Sequence, residues 1–507
     1  MVNKEKGLIV SLDFGTSNIK GAVFDYLGNE IAFESVEYSL YTPRPSYVEN
    51  DLGKYWKDVC SILATLSKKL GNKKEEVTAI STSSQAETLV CVDKNMNTLS
   101  NAIVWIDTRT VKEAAEIADN FDLLQMYKKT GYPEVDTSWP ATRILWIKRN
   151  EPEIFKKTYK FMLLQDYMIY KLSGEICGEA TLYNSSYYYD IMKFEYIDSM
   201  LDFIGISNKQ LPEIVRPGTI VGNITQEIAD ITNFSRNTKV VTGAMDQVCG
   251  AIGAGNVKKG IATESTGSAF AMVITTTEPV INYDYKLPCI LHAVKDTYAL
   301  MPYSSTGGMV LKWFKDKFCE LENRQANKKN ISVFKILDSL AAEVPAGSEG
   351  LLMLPFLTGA FFPEYNPLAR AIYFGIGINH SKGHFIRAIL EALGYMMRND
   401  IEIIQKLGIP VEKIISIGGG ASSALWSSIK ADICKINVEI PSYTETALLG
   451  AAIIAASSMK IYSSIEDAAK NLLKIKEVFI PNKSNLSIYD ECFSKYKKLY
   501  DSVKNLY

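Results

Sequence analysis

The 507-residue chain has only three histidines, no closely paired cysteines and no excess of charge of either sign. Each shortage removes a class of function. With Lys+Arg at 55 and Asp+Glu at 57 the formal charge is −2, so the electrostatic footprint of a nucleic-acid binder is missing. His292, His380 and His384 show neither metal-ligand spacing nor an adjacent nucleophile. The eight cysteines, at 60, 91, 177, 249, 289, 319, 434 and 492, contain no C-x-x-C pair. That excludes a disulfide framework or a zinc ribbon and points to reduced thiols of a cytoplasmic protein. The longest apolar run, ALLGAAIIAA from residue 447, falls far short of the roughly 18 residues needed to cross a bilayer. The brief apolar run before Asp13 is too short for a secretory signal. Neither a G-x-x-x-x-G-K-[ST] nor a G-x-G-x-x-G string follows the first strand, which disfavours a P-loop or a Rossmann site.

What is present is core-forming: 47% hydrophobic and 22% charged residues, the balance of a folded globular chain of two or three domains. Alternation predicts strands over residues 7–13, 20–25 and 30–36, and three-four spacing predicts a helix in LGKYWKDVCSILATLSKKL. The glycine-rich stretch GAIGAGNVKKG, from 250 to 260, is the expected boundary between an N-terminal domain (1–249) and a C-terminal domain (250–507).

Four stretches can carry chemistry. In SLDFGTSNIKGAVFD, Gly15 permits a sharp turn whose N–H groups converge on an anion, Thr16 and Ser17 add hydroxyls, and Lys20 can reach the same phosphates. Asp13 sits at the mouth, where a carboxylate suits a nucleotide-bound Mg²⁺. An ordinary hairpin turn fits the same string. STGSAF repeats the arrangement with Thr266, Gly267 and Ser268, so two hairpins could clasp one polyphosphate. In IISIGGGASSALWSSIKADI, Gly418, Gly419 and Gly420 offer bare backbone to a ring or phosphate, with Ser423 on the same wall; tight strand-helix packing is the alternative. Asp246 follows a buried strand through Val240 and Val241, and can act as general base with Gln247 beside it. It can equally cap the next helix. Gln85, Glu87, Asp107 and Arg109 fall in loops after strands and could bind a polyhydroxylated ligand, or form surface turns and ion pairs. Tyr187, Tyr188 and Tyr189 read as packing.

In order along the chain, these stretches resemble the FGGY family of carbohydrate kinases, within the actin-like ATPase superfamily. SWPATRILWIKRN resembles the first family signature, with Arg143 where lysine is usual; AIYFGIGINHSKGHFIRAILE resembles the second, and PEYNPLAR the proline-containing loop before it. The likeness runs from residue 8 to about residue 456. It implies a two-lobed, ribonuclease-H-like α/β fold with the active-site cleft between the lobes, ATP and Mg²⁺ as cofactors, and a sugar or polyol as partner. Neither nucleic acid nor membrane is implied, and homodimerisation is left open. It further implies Asp246 as catalytic base, Asp13 at the metal, and Gly15, Thr16, Ser17, Lys20, Thr266, Gly267, Gly308, Lys312, Gly419, Gly420 and Ser423 around the nucleotide. The acceptor would meet Gln85, Ala86, Glu87, Asp107, Asp246 and Gln247.

The loop at 85 reads Gln-Ala-Glu, where the glycerol-specific branch has Gln-Arg-Glu and xylulokinases have Gln-Met-His. The first element and TRILWIKRNEPEIF resemble xylulokinase, whereas Asp246–Gln247 is the glycerol wording. A ketopentose such as xylulose is the expected acceptor. Glycerol, ribulose, gluconate and an autoinducer-2-type sugar are the alternatives within the family, and a switch ATPase or an inactive sugar sensor those outside it.

Overall fold

A computed structural model describes residues 7–360, 362–363 and 365–507; Glu364, inside PEYNPLAR, lies outside the described residues. The chain forms two compact α/β units. The first comprises Met1–Val257, Thr277–Ala299 and Glu445–Leu473; the second comprises Lys258–Thr276, Leu300–Thr444 and Lys474–Tyr507. The chain thus passes from one unit to the other five times.

The first unit is built on a six-stranded sheet. Its strands are β1 (Leu8–Phe14), β2 (Asn18–Asp25), β3 (Glu30–Glu37), β4 (Val77–Ser84), β5 (Ile220–Asn223) and β6 (Lys239–Met245), in the order β5-β6-β4-β1-β2-β3. β1, β2 and β3 form an antiparallel meander, β1, β4 and β6 run parallel, and β5 is antiparallel at the edge. β1 and β4 are almost wholly buried and accordingly read as near-continuous apolar or small residues. The helix Leu52–Leu70 starts where Asp51 accepts the amides of Gly53 and Lys54, and ends at Gly71 with φ 57. Between these caps Tyr55, Val59, Ile62, Leu63 and Leu66 recur at helical spacing and bury one face against the sheet core.

The apolar run from 447 is also accounted for in this unit. It forms the helix Thr446–Ser458, buried on nearly every side, as an all-apolar helix must be. Glycines let it press on the helix Asp246–Gly253: a Cβ on Gly450 would lie 1.9 Å from the Cys249 carbonyl oxygen, and one on Gly253 1.9 Å from that of Thr446. A smaller sheet, in the order Glu49–Asn50, Ala102–Ile103, Leu89–Val92, Lys160–Leu163, carries the loops after β4.

The second unit repeats the plan. β7 (Gly260–Thr266) and β8 (Phe270–Thr276) form a hairpin, with the short β9 (Tyr303–Ser304) beside β8. β10 (Val411–Ile417) and β11 (Asn437–Pro441) continue parallel from β7, and β12 (Ile475–Phe479) closes the edge antiparallel to β11. Helices Lys382–Lys406 and Ala424–Cys434 cover this sheet. The second sheet also carries Tyr298–Leu300 beside β8 and Cys289–Leu291 beyond it; two sheets that share the order of six strands, each with a strand-turn-strand hairpin, make a two-lobed ribonuclease-H-like α/β fold. Among the described residues no helix is long and apolar enough to cross a membrane.

Candidate active site

Parallel strands bring their carboxyl ends to one edge of a sheet, where loops leave polar groups room to project. In the first unit, Asp13 is the last residue but one of β1, Ser83 faces it across the β1–β4 register, and Asp246 follows the last residue of β6. Ser83 Oγ donates to Asp13 Oδ1 at 2.8 Å. Burial raises the Asp13 pKa to about 6, opposed by the Ser83 hydrogen bond and the Lys20 charge. Lys20 is the cross-strand partner of Asp13, and its ammonium lies 2.5 Å from Glu445 Oε2. The pairing joins residues 425 positions apart within the same unit.

Asp246 is the first residue of its helix, after Met245, and among the described residues its carboxylate accepts only the neighbouring Gln247 amide, at 2.6 Å. No side-chain cap forms at this helix start. The carboxyl group therefore remains available while sitting in the favourable field of a helix N-terminus. Burial first, then the charges of Asp13 and Glu87, lift its pKa to about 7, against the opposing Gln247 amide. A carboxylate of that strength is matched to accepting a proton at neutral pH.

The β1–β2 turn is anchored through its oxygens. Tyr38 OH and Gln85 Nε2 donate to the Gly15 carbonyl at 2.7 and 3.0 Å, and the Tyr38 amide donates to the Ser17 carbonyl at 3.1 Å. Carbonyls turned onto protein donors are kept from an incoming anion, which suits a phosphate site. Trp105 Nε1 donates to Thr16 Oγ1 at 2.8 Å, and Ser17 is exposed.

The loop after β4 is strained at Glu87, whose φ is +60°. Burial raises the Glu87 pKa to about 7, with Ser185 and Arg143 opposing the rise. Ala86 is buried. Gln85 has its amide committed: Nε2 to Gly15, and Oε1 to the hydroxyls of Thr16 and Thr88. Asp107 is likewise engaged, accepting Arg109 through both oxygens at 2.7–3.0 Å and the Val48 amide at 2.6 Å. Both residues hold neighbouring segments of this loop system together.

The second unit gathers three glycine segments around the β7–β8 turn. The Gly308 amide donates to the Gly267 carbonyl and the Gly307 amide to that of Ser268; a Cβ on Gly308 would lie 2.6 Å from Gly267 O, and one on Gly307 2.3 Å from the Ala269 carbonyl. On the other side a Cβ on Gly420 would meet Thr266 Cβ at 2.7 Å, and Gly418 has φ +76°. Gly267 and Gly419 are exposed. Beneath the turn, Lys430 Nζ binds both oxygens of Glu264 at 2.8 and 2.9 Å, with Thr266 Oγ1 at 3.2 Å and Ser416 Oγ at 3.3 Å. Thr266 Oγ1 donates to Glu264, so its hydroxyl hydrogen points inward, and the Gly267 amide is likewise engaged, donating to the Ala269 carbonyl at 3.0 Å. Ser423 Oγ caps the helix Ala424–Cys434 by accepting the Trp426 amide at 3.0 Å. Lys312 lies on an exposed helix face, 2.7 Å from Asp316. Among the described residues no group of three or more His, Cys, Asp or Glu could hold a metal ion.

Sequence reasoning missed Ser83, Trp105, the Glu264–Lys430 pair and Glu445. Only Ser83 left a trace, as part of a serine-rich strand end.

The fold is of the ribonuclease-H-like, actin-like ATPase type, with acids at the carboxyl ends of the first unit's parallel strands. Residues 8–253 match the N-terminal domain of the FGGY family of carbohydrate kinases and residues 265–459 its C-terminal domain. The chain belongs to that family, whose members are ATP-dependent sugar or polyol kinases. It is 31% identical to a xylulose kinase of Staphylococcus epidermidis over 501 residues, covering 99% of this chain and 98% of the relative. Identity to the gluconokinase of Bacillus subtilis is 28% over 491 residues, covering 93% and 94%. The fold is similar to that of the xylulose kinase crystal structure from Rhodospirillum rubrum, with TM-score 0.90 and 24% identity, covering 98% and 99% of the two chains.

Proposed function

We propose that the protein transfers the γ-phosphate of ATP to a hydroxyl of a neutral ketopentose such as xylulose, with Asp246 as general base. The carrying observation is the half-buried Asp246 carboxylate at the end of β6, raised to about 7 beside Asp13 and Glu87. Asp246 accepts the hydroxyl proton as the oxygen attacks, and Glu87 and Gln247 orient the acceptor. Asp13, ionised above pH 6, would hold Mg²⁺; a single hard carboxylate suits an ion whose other ligands are phosphates and water. The metal supplies neutralisation of phosphate charge. The β1–β2 turn offers backbone N–H groups to the phosphates, with Lys20 beside it, and in the second unit the exposed backbone at Gly267 and Gly419, next to Thr266, Gly308 and Gly420, offers a wall to a nucleoside.

The charge balance supports a neutral acceptor. In the first unit Lys20 is paired with Glu445, Arg109 with Asp107 and Glu49, and Arg143 with carbonyls. A sugar acid such as gluconate would face Asp13, Glu87 and Asp246 with those cations already engaged. The similarity to xylulose kinases supports the ketopentose. Glu87 itself supports glycerol as a second reading, since that branch carries glutamate there.

The test is ADP production from MgATP against D-xylulose, L-xylulose, D-ribulose, glycerol, erythritol and gluconate. A strong rise with a ketopentose is expected. A rise with gluconate alone would overturn the neutral-acceptor reading, and one with glycerol alone would select the second.

A further inference from the structure

Arg143 lies on the helix Pro140–Asn150 and is completely buried. Among the described residues it makes no ion pair with a carboxylate; its guanidinium serves backbone oxygens instead. Nη1 donates to the Glu87 carbonyl at 2.6 Å and that of Ile103 at 3.3 Å, and Nη2 to those of Val104 and Trp105 at 2.9 Å each. A buried charge met only by carbonyls, with its Nε left without a partner among the described residues, is an expensive way to fill space. The two loops are paired next to this point through Leu89 and Ile103, and the fork extends that link beyond the strand ends, from Glu87 to Val104 and Trp105.

Both loops also touch the β1–β2 turn. The first, through Gln85, holds the Gly15 carbonyl, and the second, through Trp105, holds the Thr16 hydroxyl. One planar fork therefore sets the left-handed backbone at Glu87 and the Trp105 segment in a fixed relation to a single turn. A lysine ammonium has three donors radiating from one atom and cannot span four carbonyls on two segments.

We propose that Arg143 is a positioning residue for acceptor recognition: it clamps the Glu87 and Trp105 loops together, so that discrimination between similar sugars depends on its guanidinium fork. The proposal rests on the reading that Glu87 faces the acceptor. Misplacing recognition groups weakens discrimination between substrates, because the hydrogen bonds that separate them are the ones lost.

The test compares kcat/KM for the best sugar with that for its C3 or C4 epimer, in wild type, Arg143→Lys, Arg143→Met and Glu87→Gln, with thermal unfolding of each. Arg143→Lys should reduce the selectivity ratio about tenfold through a raised sugar KM, with the ATP KM little changed. A partly unfolded variant loses both rates in proportion and leaves the ratio intact, so the ratio separates positioning from stability. Arg143→Met, which buries no charge, supplies the same comparison should the lysine variant not fold. Wild-type selectivity in a folded Arg143 variant, with Glu87→Gln impaired, would overturn the proposal. Unchanged sugar kinetics in Glu87→Gln would instead overturn the reading beneath it.

Discussion

Ser83 and Asp13 are register partners on adjacent parallel strands, and the serine hydroxyl donates to the aspartate at 2.8 Å. That bond holds the Asp13 pKa below where burial alone would leave it. Ser83→Ala should raise it beyond about 6, so that more of the enzyme is protonated at pH 7. The acid limb of kcat/KM for MgATP should move to higher pH, with activity recovering at pH 8.5. An unmoved limb would remove Asp13 from the metal role.

Asp246→Asn keeps the shape and removes the base. Sugar phosphorylation should fall by about 10²- to 10⁴-fold, the usual contribution of a positioned general base. ATP affinity, measured by calorimetry, should stay near wild type. Full activity would refute the assignment.

The same substitution should stabilise the fold at alkaline pH. The Asp246 pKa is raised from 3.8 to about 7, so between those values the native state keeps a proton that the unfolded chain releases. Stability then falls as pH climbs through this window. Asp246→Asn should raise Tm at pH 8 and make little difference at pH 4. A Tm gain of equal size at both pH values would point to packing rather than charge.

Lys430 and Glu264 are both almost fully buried. Lys430→Met alone strands a carboxylate and should cost about 3–5 kcal/mol in urea unfolding. Adding Glu264→Leu should restore most of that loss. Equal destabilisation in the single and double variants would show that the charges are not coupled.

Gly450→Ala tests the close helix contact. Alanine favours a helix by about 1 kcal/mol over glycine, yet its Cβ would meet the Cys249 carbonyl oxygen at 1.9 Å. Tm should drop, and activity with it, because the helix Asp246–Gly253 opens on the base. A stabilised, active variant would contradict the packing.

Much of the candidate site was legible because its signals are local. A carboxylate at a strand end, a glycine turn and a second hairpin of the same kind are each written within fifteen residues, and the structure brings Asp13 and Asp246 to the carboxyl ends of β1 and β6. Composition was similarly informative about the core: Tyr187, Tyr188 and Tyr189 are indeed buried. Spacing alone could not say which polar residues were already engaged. Asp107 looks as available as Asp246 in the sequence, but Arg109 and Val48 occupy its oxygens. Thr266 and Ser423 likewise turn their hydroxyls to Glu264 and a helix cap.

The sequence by itself determined the order of strands and turns, the places where acids and glycines interrupt apolar runs, and the family. Strand alternation and helical periodicity arise between near neighbours, so they survive in one dimension. Only the tertiary structure decided that Glu445 and the helix after it belong beside Lys20 and the helix of Asp246, rather than with the glycine cluster preceding them in the chain. Those contacts form because a glycine-faced apolar helix must be covered on all sides and a carboxylate must find a cation. Neither requirement states how far along the chain the partner will be.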